Sequence, residues 1–165
     1  HDWNYSDDYM TDNSFSTNRP LFNDLTNGDT FFSYVEYDEF IVASIDNSSN
    51  VVNQETVDKF LALYDRNKPI ILILHVPFHV NTLEADVRKI WGSNLTMGPG
   101  GVGKDCDAVI QLYNAVCVAK DTPVVAVFSG HVHFSHEDIF PNGVTQYITA
   151  MGYTGDCRVV TVKGE

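Results

Sequence analysis

Histidine is the residue type in this sequence best suited to chemistry, and its six copies fall in three places: His1; His75 and His79; His131, His133 and His136. Imidazole nitrogen is a natural ligand for zinc, iron, manganese or copper. Two of the three groups begin where a wholly apolar run stops. Ile70 to Leu74 leads straight into His75-Val76-Pro77, and Pro123 to Phe128 runs into Ser129-Gly130-His131-Val132-His133. In open α/β sheets ligands gather at the carboxyl ends of strands, where rigid backbone aims side chains into a crevice. Gly130 lets the chain turn sharply, so that His131 and His133, two apart, can face one site. A lone histidine at a strand end is usually no more than a hydrogen-bonded residue. Two strand ends presenting the same residue type share one geometric explanation, which is coordination of a common cation.

The elements that must carry these residues can be read from the spacing of apolar positions. Residues 4 to 30 are dense in Asn, Asp, Ser and Thr and read as a long surface segment. Thr30 to Tyr37 and Glu39 to Ile45 are rich in β-branched and aromatic residues and predict a hairpin, closed off by the turn cluster Asp46-Asn47-Ser48-Ser49. A helix follows, with Asn53 as N-cap and Val57, Phe60, Leu61 and Tyr64 on one face; Arg66, Asn67, Lys68 and Pro69 end it. Further helices are expected over Thr82 to Trp91 and about Asp105 to Ala119, and final strands at Val144 to Thr149 and Arg158 to Val162. Phe40 to Ile45, Ile70 to Leu74, Val124 to Phe128 and Tyr147 to Ala150 are expected to be buried, the continuous apolar runs being the pattern of strands covered on both faces.

Composition narrows the function classes. With 44% hydrophobic and 19% charged residues among 165, the chain falls in the ordinary globular range. No repeat, low-complexity tract or linker divides it, so residues 1-165 are expected to form one domain. No apolar run approaches the ~18 residues of a membrane helix. The formal charge of -12, with only ten Lys and Arg, argues against binding a nucleic-acid backbone, and any phosphate handled here needs another source of positive charge. Cys106, Cys117 and Cys157 are odd in number and contain no C-x-x-C pair, so they read as buried thiols, neither a disulfide framework nor a zinc ribbon. The sequons at Asn4, Asn47 and Asn94 leave the compartment open.

The strand-end motifs resemble those of the calcineurin-like metallophosphoesterases, whose later motifs are an apolar strand ending in H-x-P and another ending in G-H-x-H. Here these read Leu74-His75-Val76-Pro77 and Gly130-His131-Val132-His133. The hairpin ending near Asp46, the helix after it and the His75 strand are similar in order and spacing. His1-Asp2 matches the last two letters of the family's G-N-H-[DE] motif. The resemblance covers essentially the whole chain but only the C-terminal portion of the family domain; the earlier D-x-H and G-D-x-x-D motifs have no counterpart. It implies an α/β fold of mixed β-sheets packed face to face with flanking helices, incomplete at the N-terminus. It also implies a phosphomonoesterase or phosphodiesterase with two divalent metal ions (Mn, Fe or Zn), acting by direct attack of metal-bound hydroxide. His75 and His131 would bind one metal and His133 the other. His1 would steady the phosphate and help protonate the leaving oxygen, with Asp2 orienting it. Paired cations about 3.5 to 4 Å apart supply the positive field that Lys and Arg do not. On this reading the chain alone is expected to hold its metals partially or not at all and to be inactive. The missing N-terminal half of the domain is then a partner beside the phosphoester substrate.

Rival patterns are present. Gly98 to Lys104 matches G-x-x-x-x-G-K, but Asp105 stands where a phosphate-cradling loop requires Ser or Thr, and no strand precedes it. His131-x-His133-x-x-His136 approaches the H-x-H-x-D-H pattern of metallo-β-lactamase-like hydrolases, with Ser135 in place of the aspartate. A non-catalytic fragment acting as a binding module is the third alternative. His79 and His136, just outside the motifs, are expected to have surface or structural roles.

Overall fold

Four parallel strands form the centre of the molecule; helices carry the crossovers between the first three of them, and the last is reached through an antiparallel edge strand. The computed structural model describes residues 31–163. Strands β1 (Phe32–Glu36), β2 (Ile41–Ile45), β3 (Ile70–Leu74), β4 (Val124–Ser129), β5 (His136–Ile139) and β6 (Thr145–Ile148) make one sheet in the order β1-β2-β3-β4-β6-β5. β2, β3, β4 and β6 are mutually parallel; β1 and β5 are antiparallel edges. Helix α1 (Gln54–Leu61), extended by a 3-10 turn over Ala62–Arg66, crosses from β2 to β3. α2 (Asn81–Trp91) and α3 (Asp107–Tyr113, continuing as a π turn over Asn114–Val118) lie between β3 and β4.

Local chemistry explains the boundaries. Asn53 caps α1 by accepting from the Thr56 amide at 2.8 Å, as its spacing predicts, and Asn67 ends the following turn in the left-handed conformation with φ 54°. The β5–β6 turn needs Gly143, whose φ is 96°. Val125 is an extra residue in β4 between the pairs Ile70↔Val124 and Ile71↔Ala126, a bulge that leaves its side chain outside the ladder.

Alternation along the strands divides the sheet into two unlike faces. Ile41, Ala43 and Ile45 of β2 and Ile70, Leu72 and Leu74 of β3 pack against Val57 and Phe60 of α1 and Val109 and Leu112 of α3 in the main core. α2 builds a smaller cluster, with Leu83 and Val87 against Val132 and Ile148. The opposite face is only partly covered: Ile73 is 42% and Val125 54% exposed. Burial of the apolar strands on both faces, expected from their unbroken hydrophobicity, is therefore corrected. The helices sit on one side, and on the other the segment of Arg158, Val160 and Val162 borders a groove floored by Val42, Ile71, Ile73 and Phe128. That segment is irregular and mostly exposed, not the final strand its β-branched residues suggest.

The architecture is α/β: among the described residues, one mixed six-stranded sheet with flanking helices. No helix among the described residues is long and apolar enough to cross a membrane. All three cysteines are free; Cys117 is buried as expected, Cys106 is half-buried, and Cys157 is exposed, which corrects the expectation of buried thiols.

Candidate functional site

β3 and β4 are adjacent and parallel, so their carboxyl ends lie side by side, and the residues that follow them meet. His75 follows β3 directly. After β4 the chain passes through Gly130, whose amide donates to the His75 carbonyl at 3.2 Å, and then turns at His131. The Val132 amide donates to the Gly130 carbonyl at 2.7 Å, closing a three-residue turn centred on His131 with φ 66°. His133 also adopts a positive φ, 64°. Left-handed backbone at a residue with a full side chain is disfavoured by about 1 kcal/mol or more, and it persists only where the surroundings over-determine it.

Two such surroundings are visible. The Val132 side chain between the two histidines is fully buried among Leu83, Val87 and Ile148, and Trp91 Nε1 donates to its carbonyl at 2.9 Å. The last turn of α2 thus holds the loop from outside while the small core holds it from within.

The result is a close approach of two imidazoles: His131 Nδ1 lies 3.0 Å from His75 Nε2, the rings meeting edge to face at 68°. One proton shared along that line makes either nitrogen the donor, depending on tautomer. Burial, aided by repulsion from His131, pushes the His75 pKa down to about 4; burial and the neighbouring His133 push His131 to about 4 as well. Both rings are neutral at pH 7, the form that binds metals.

His133 is not drawn into this pair. Its exposed ring sits against Trp91, with centroids 5.5 Å apart, and Tyr153, at 6.3 Å. His79 is buried elsewhere, its Nδ1 3.1 Å from Thr96 Oγ1 and its Nε2 3.7 Å from Glu84 Oε2. His136 lies between Asp138, with Nε2 to Oδ2 3.0 Å, and Asp86, with Nδ1 to Oδ2 3.4 Å; Thr82 Oγ1 donates to the other oxygen of Asp138. This arrangement ties α2 to β5, so the third histidine of the H-x-H-x-x-H pattern does not join the His75–His131 pair. His1 and Asp2 lie outside the described residues.

Two buried amides went unrecognised in the sequence, one of them holding the site. Asn47, read only as part of a turn cluster, is fully buried; its Oδ1 accepts from the amides of both His75 and Val76 at 2.9 Å, and its Nδ2 donates to the Val76 carbonyl at 2.8 Å. Gln146, also fully buried, holds Phe78 in the same manner, accepting from its amide at 2.7 Å and donating to its carbonyl at 3.1 Å. The one available signal was negative: polar residues inside or just beyond apolar strands are buried only when their bonds are satisfied. The Asn47 sequon is thereby closed to modification in the folded chain. The Asn94 sequon is engaged too, with Nδ2 donating to the Gly100 carbonyl and Oδ1 accepting from Thr96.

The glycine-rich stretch is packed down, not cupped around open space. A side chain at Gly100 would fall 2.1 Å from His79 Nε2, and Lys104 pairs with Asp105. It does not form a phosphate cradle.

The chemistry of the donor pair fits a divalent cation. Imidazole–zinc bonds of about 2.0–2.1 Å leave two nitrogens on one ion roughly 3.0–3.4 Å apart. Two imidazoles are nonetheless only part of a coordination shell, and among the described residues no three His, Cys, Asp or Glu side chains gather closely enough to hold an ion.

No family model matches the sequence, and no curated protein matches it. Among solved structures the chain is similar in fold to a dimetal phosphatase from Danio rerio, with a TM-score of 0.36 and 14% identity over 60% of this chain and 27% of that one. The chain therefore spans about a quarter of the length of the structure it matches. The likeness is distant and concerns the fold alone.

Proposed function

We propose that this chain carries part of the active centre of a metal-dependent phosphoester hydrolase, in which His75 and His131 hold one divalent cation and His133 contributes to a second. The observation that carries the proposal is the convergence, at 3.0 Å, of two neutral imidazoles from the carboxyl ends of neighbouring parallel strands. When bound, divalent cations such as Mn, Fe or Zn would acidify water to a nucleophile and offset charge on the phosphoryl oxygens. That would supply the positive field that a chain of net charge -12 otherwise lacks. The chain's own residues do the rest: β3 and β4 fix the spacing of the pair, and Val132 and Trp91 hold the His131–His133 turn. In the same reading His1 steadies the phosphate and assists the leaving oxygen, with Asp2 orienting its ring. A phosphomonoester or phosphodiester is the substrate class, and no covalent enzyme intermediate is needed.

Because the pair alone leaves most of a coordination shell unfilled, metal uptake is a sharper readout than turnover. Wild-type protein titrated with zinc or manganese is expected to load partially by mass spectrometry, while His75→Ala and His131→Ala lose that loading and His79→Ala keeps it. Equal loading in all four would sink the proposal. Hydrolysis of an aryl phosphate and a bis-aryl phosphate, compared in the same preparations, ranks monoester against diester. The absence of a third clustered ligand among the described residues favours one second reading, a non-catalytic binding module that keeps the fold. It predicts metal uptake without turnover on either ester.

A further inference from the structure

β2 and β3 run parallel in strict register, ending with Ile45 opposite Leu74. The next residues of β3, His75 and Val76, would leave their backbone groups unpaired where β2 turns away. Asn47, two residues beyond the end of β2, fills that gap with its side chain. One planar amide accepts from the His75 and Val76 amides and donates to the Val76 carbonyl, so it continues the ladder for two residues after the neighbouring backbone has gone. Its Nδ2 also lies 3.5 Å from Met97 Sδ in the core, so the side chain is held from both sides. The His75 carbonyl is tied in turn to Gly130, the residue before His131.

We propose that Asn47 is the positioning residue of the His75–His131 pair: by holding the His75 backbone it aims the imidazole at His131 and so sets the affinity of the pair for a divalent cation. The metal part of this statement rests on the function proposed above; the positioning part does not. Asparagine is suited to the task because it carries both an acceptor and a donor without charge. Serine is too short to span two successive amides, and alanine offers nothing. Outer partners of metal ligands typically change metal affinity about 10- to 100-fold when removed.

The test uses the full chain as wild type, Asn47→Ala, Asn47→Ser, Asn47→Asp and Gln146→Met. The last removes the other buried amide, which holds Phe78 three residues further on, and serves as the control for a merely structural role. The first readout needs no metal: long-range proton–nitrogen NMR of the histidine rings reports the His75 Nε2 to His131 Nδ1 hydrogen bond. It is expected to be lost in Asn47→Ala and Asn47→Ser, kept in Asn47→Asp, which retains the acceptor, and kept in Gln146→Met. The second readout is cobalt(II) binding, followed by visible absorption and chelator competition, with affinity expected to fall about 10- to 100-fold in Asn47→Ala or Asn47→Ser and less in Asn47→Asp.

An unchanged ring signature in a folded Ala or Ser variant overturns the positioning role whatever the metal does. So does a Gln146→Met variant that perturbs the pair as strongly. If Asn47→Ala does not fold, the Ser variant decides on the same criterion. A wild-type protein that shows the ring hydrogen bond but binds no cobalt overturns the metal proposal and leaves the positioning role to the NMR result.

Discussion

The two strand ends that meet at the site reach their geometry by different physical means. At the end of β3, His75 is held by a buried amide from the loop that follows β2, and hydrogen bonds do the work. At the end of β4, His131 and His133 both sit at positive φ, and the turn is held by burial of Val132 between them and by the Trp91 indole. Hydrogen bonds to a single buried side chain are all-or-none, because a missing partner leaves several buried groups unsatisfied at once. A strained turn clamped by an apolar anchor is graded, because part of the lost packing is recovered as strain relaxes. The comparison teaches that the β3 end should be the brittle half of the site and the β4 end the adjustable one.

Acid should act on both halves together and produce the largest effect. His75 and His131 have folded pKa values of about 4, against about 6.5 in an unfolded chain. Between those values the unfolded state binds more protons, so stability is fully present above about pH 6.5 and is lost as pH falls toward about 4. Urea midpoints measured at pH 7.5 and pH 4.5 are expected to differ markedly in the wild type and less in a His75→Gln/His131→Gln double variant. A pH dependence unchanged by the double replacement would assign the acid sensitivity to other groups.

Asn47→Ala comes next, removing partners from two amides and a carbonyl in the interior, with an expected loss of about 3 kcal/mol in urea unfolding. Val132→Ala should follow at about 2 kcal/mol, the scale of two buried methyl groups plus a small cavity. If Val132→Ala proves the more damaging of the two, the distinction between brittle and adjustable halves is reversed. The smallest effect has the opposite sign: His133→Gly removes an exposed side chain from a left-handed position and should stabilise the fold by up to about 1 kcal/mol. Destabilisation there would mean that the Trp91 and Tyr153 contacts of His133 outweigh its backbone strain.

Much of this arrangement could be read from residue order. Runs such as Ile70–Leu74 announce strands whatever their neighbours, though not which faces are covered, and Asn53 announces the start of a helix through bonds within four residues. β5 escaped notice because its sequence, His-Glu-Asp-Ile, has little strand character; pairing with β6 makes it a strand. Arg158 to Val162 shows the converse, with β-branched residues but no partner strand among the described residues. His79 and His136 stand close to the motifs in sequence, yet each turns to a carboxylate nearby in the chain, Glu84 and Asp138, and away from the paired imidazoles.

The amino-acid order by itself determined that histidines would stand at the ends of two apolar strands, since hydrophobic periodicity and the glycine before His131 are local properties that act over a few residues. Only the tertiary structure decided that β3 and β4 would be neighbours in parallel, that Asn47 would reach His75 across 28 residues, and that His133 would face Trp91 while His131 met His75. The physical reason is that these contacts come from strand register and burial, which depend on how distant segments share one core and which short-range patterns do not encode.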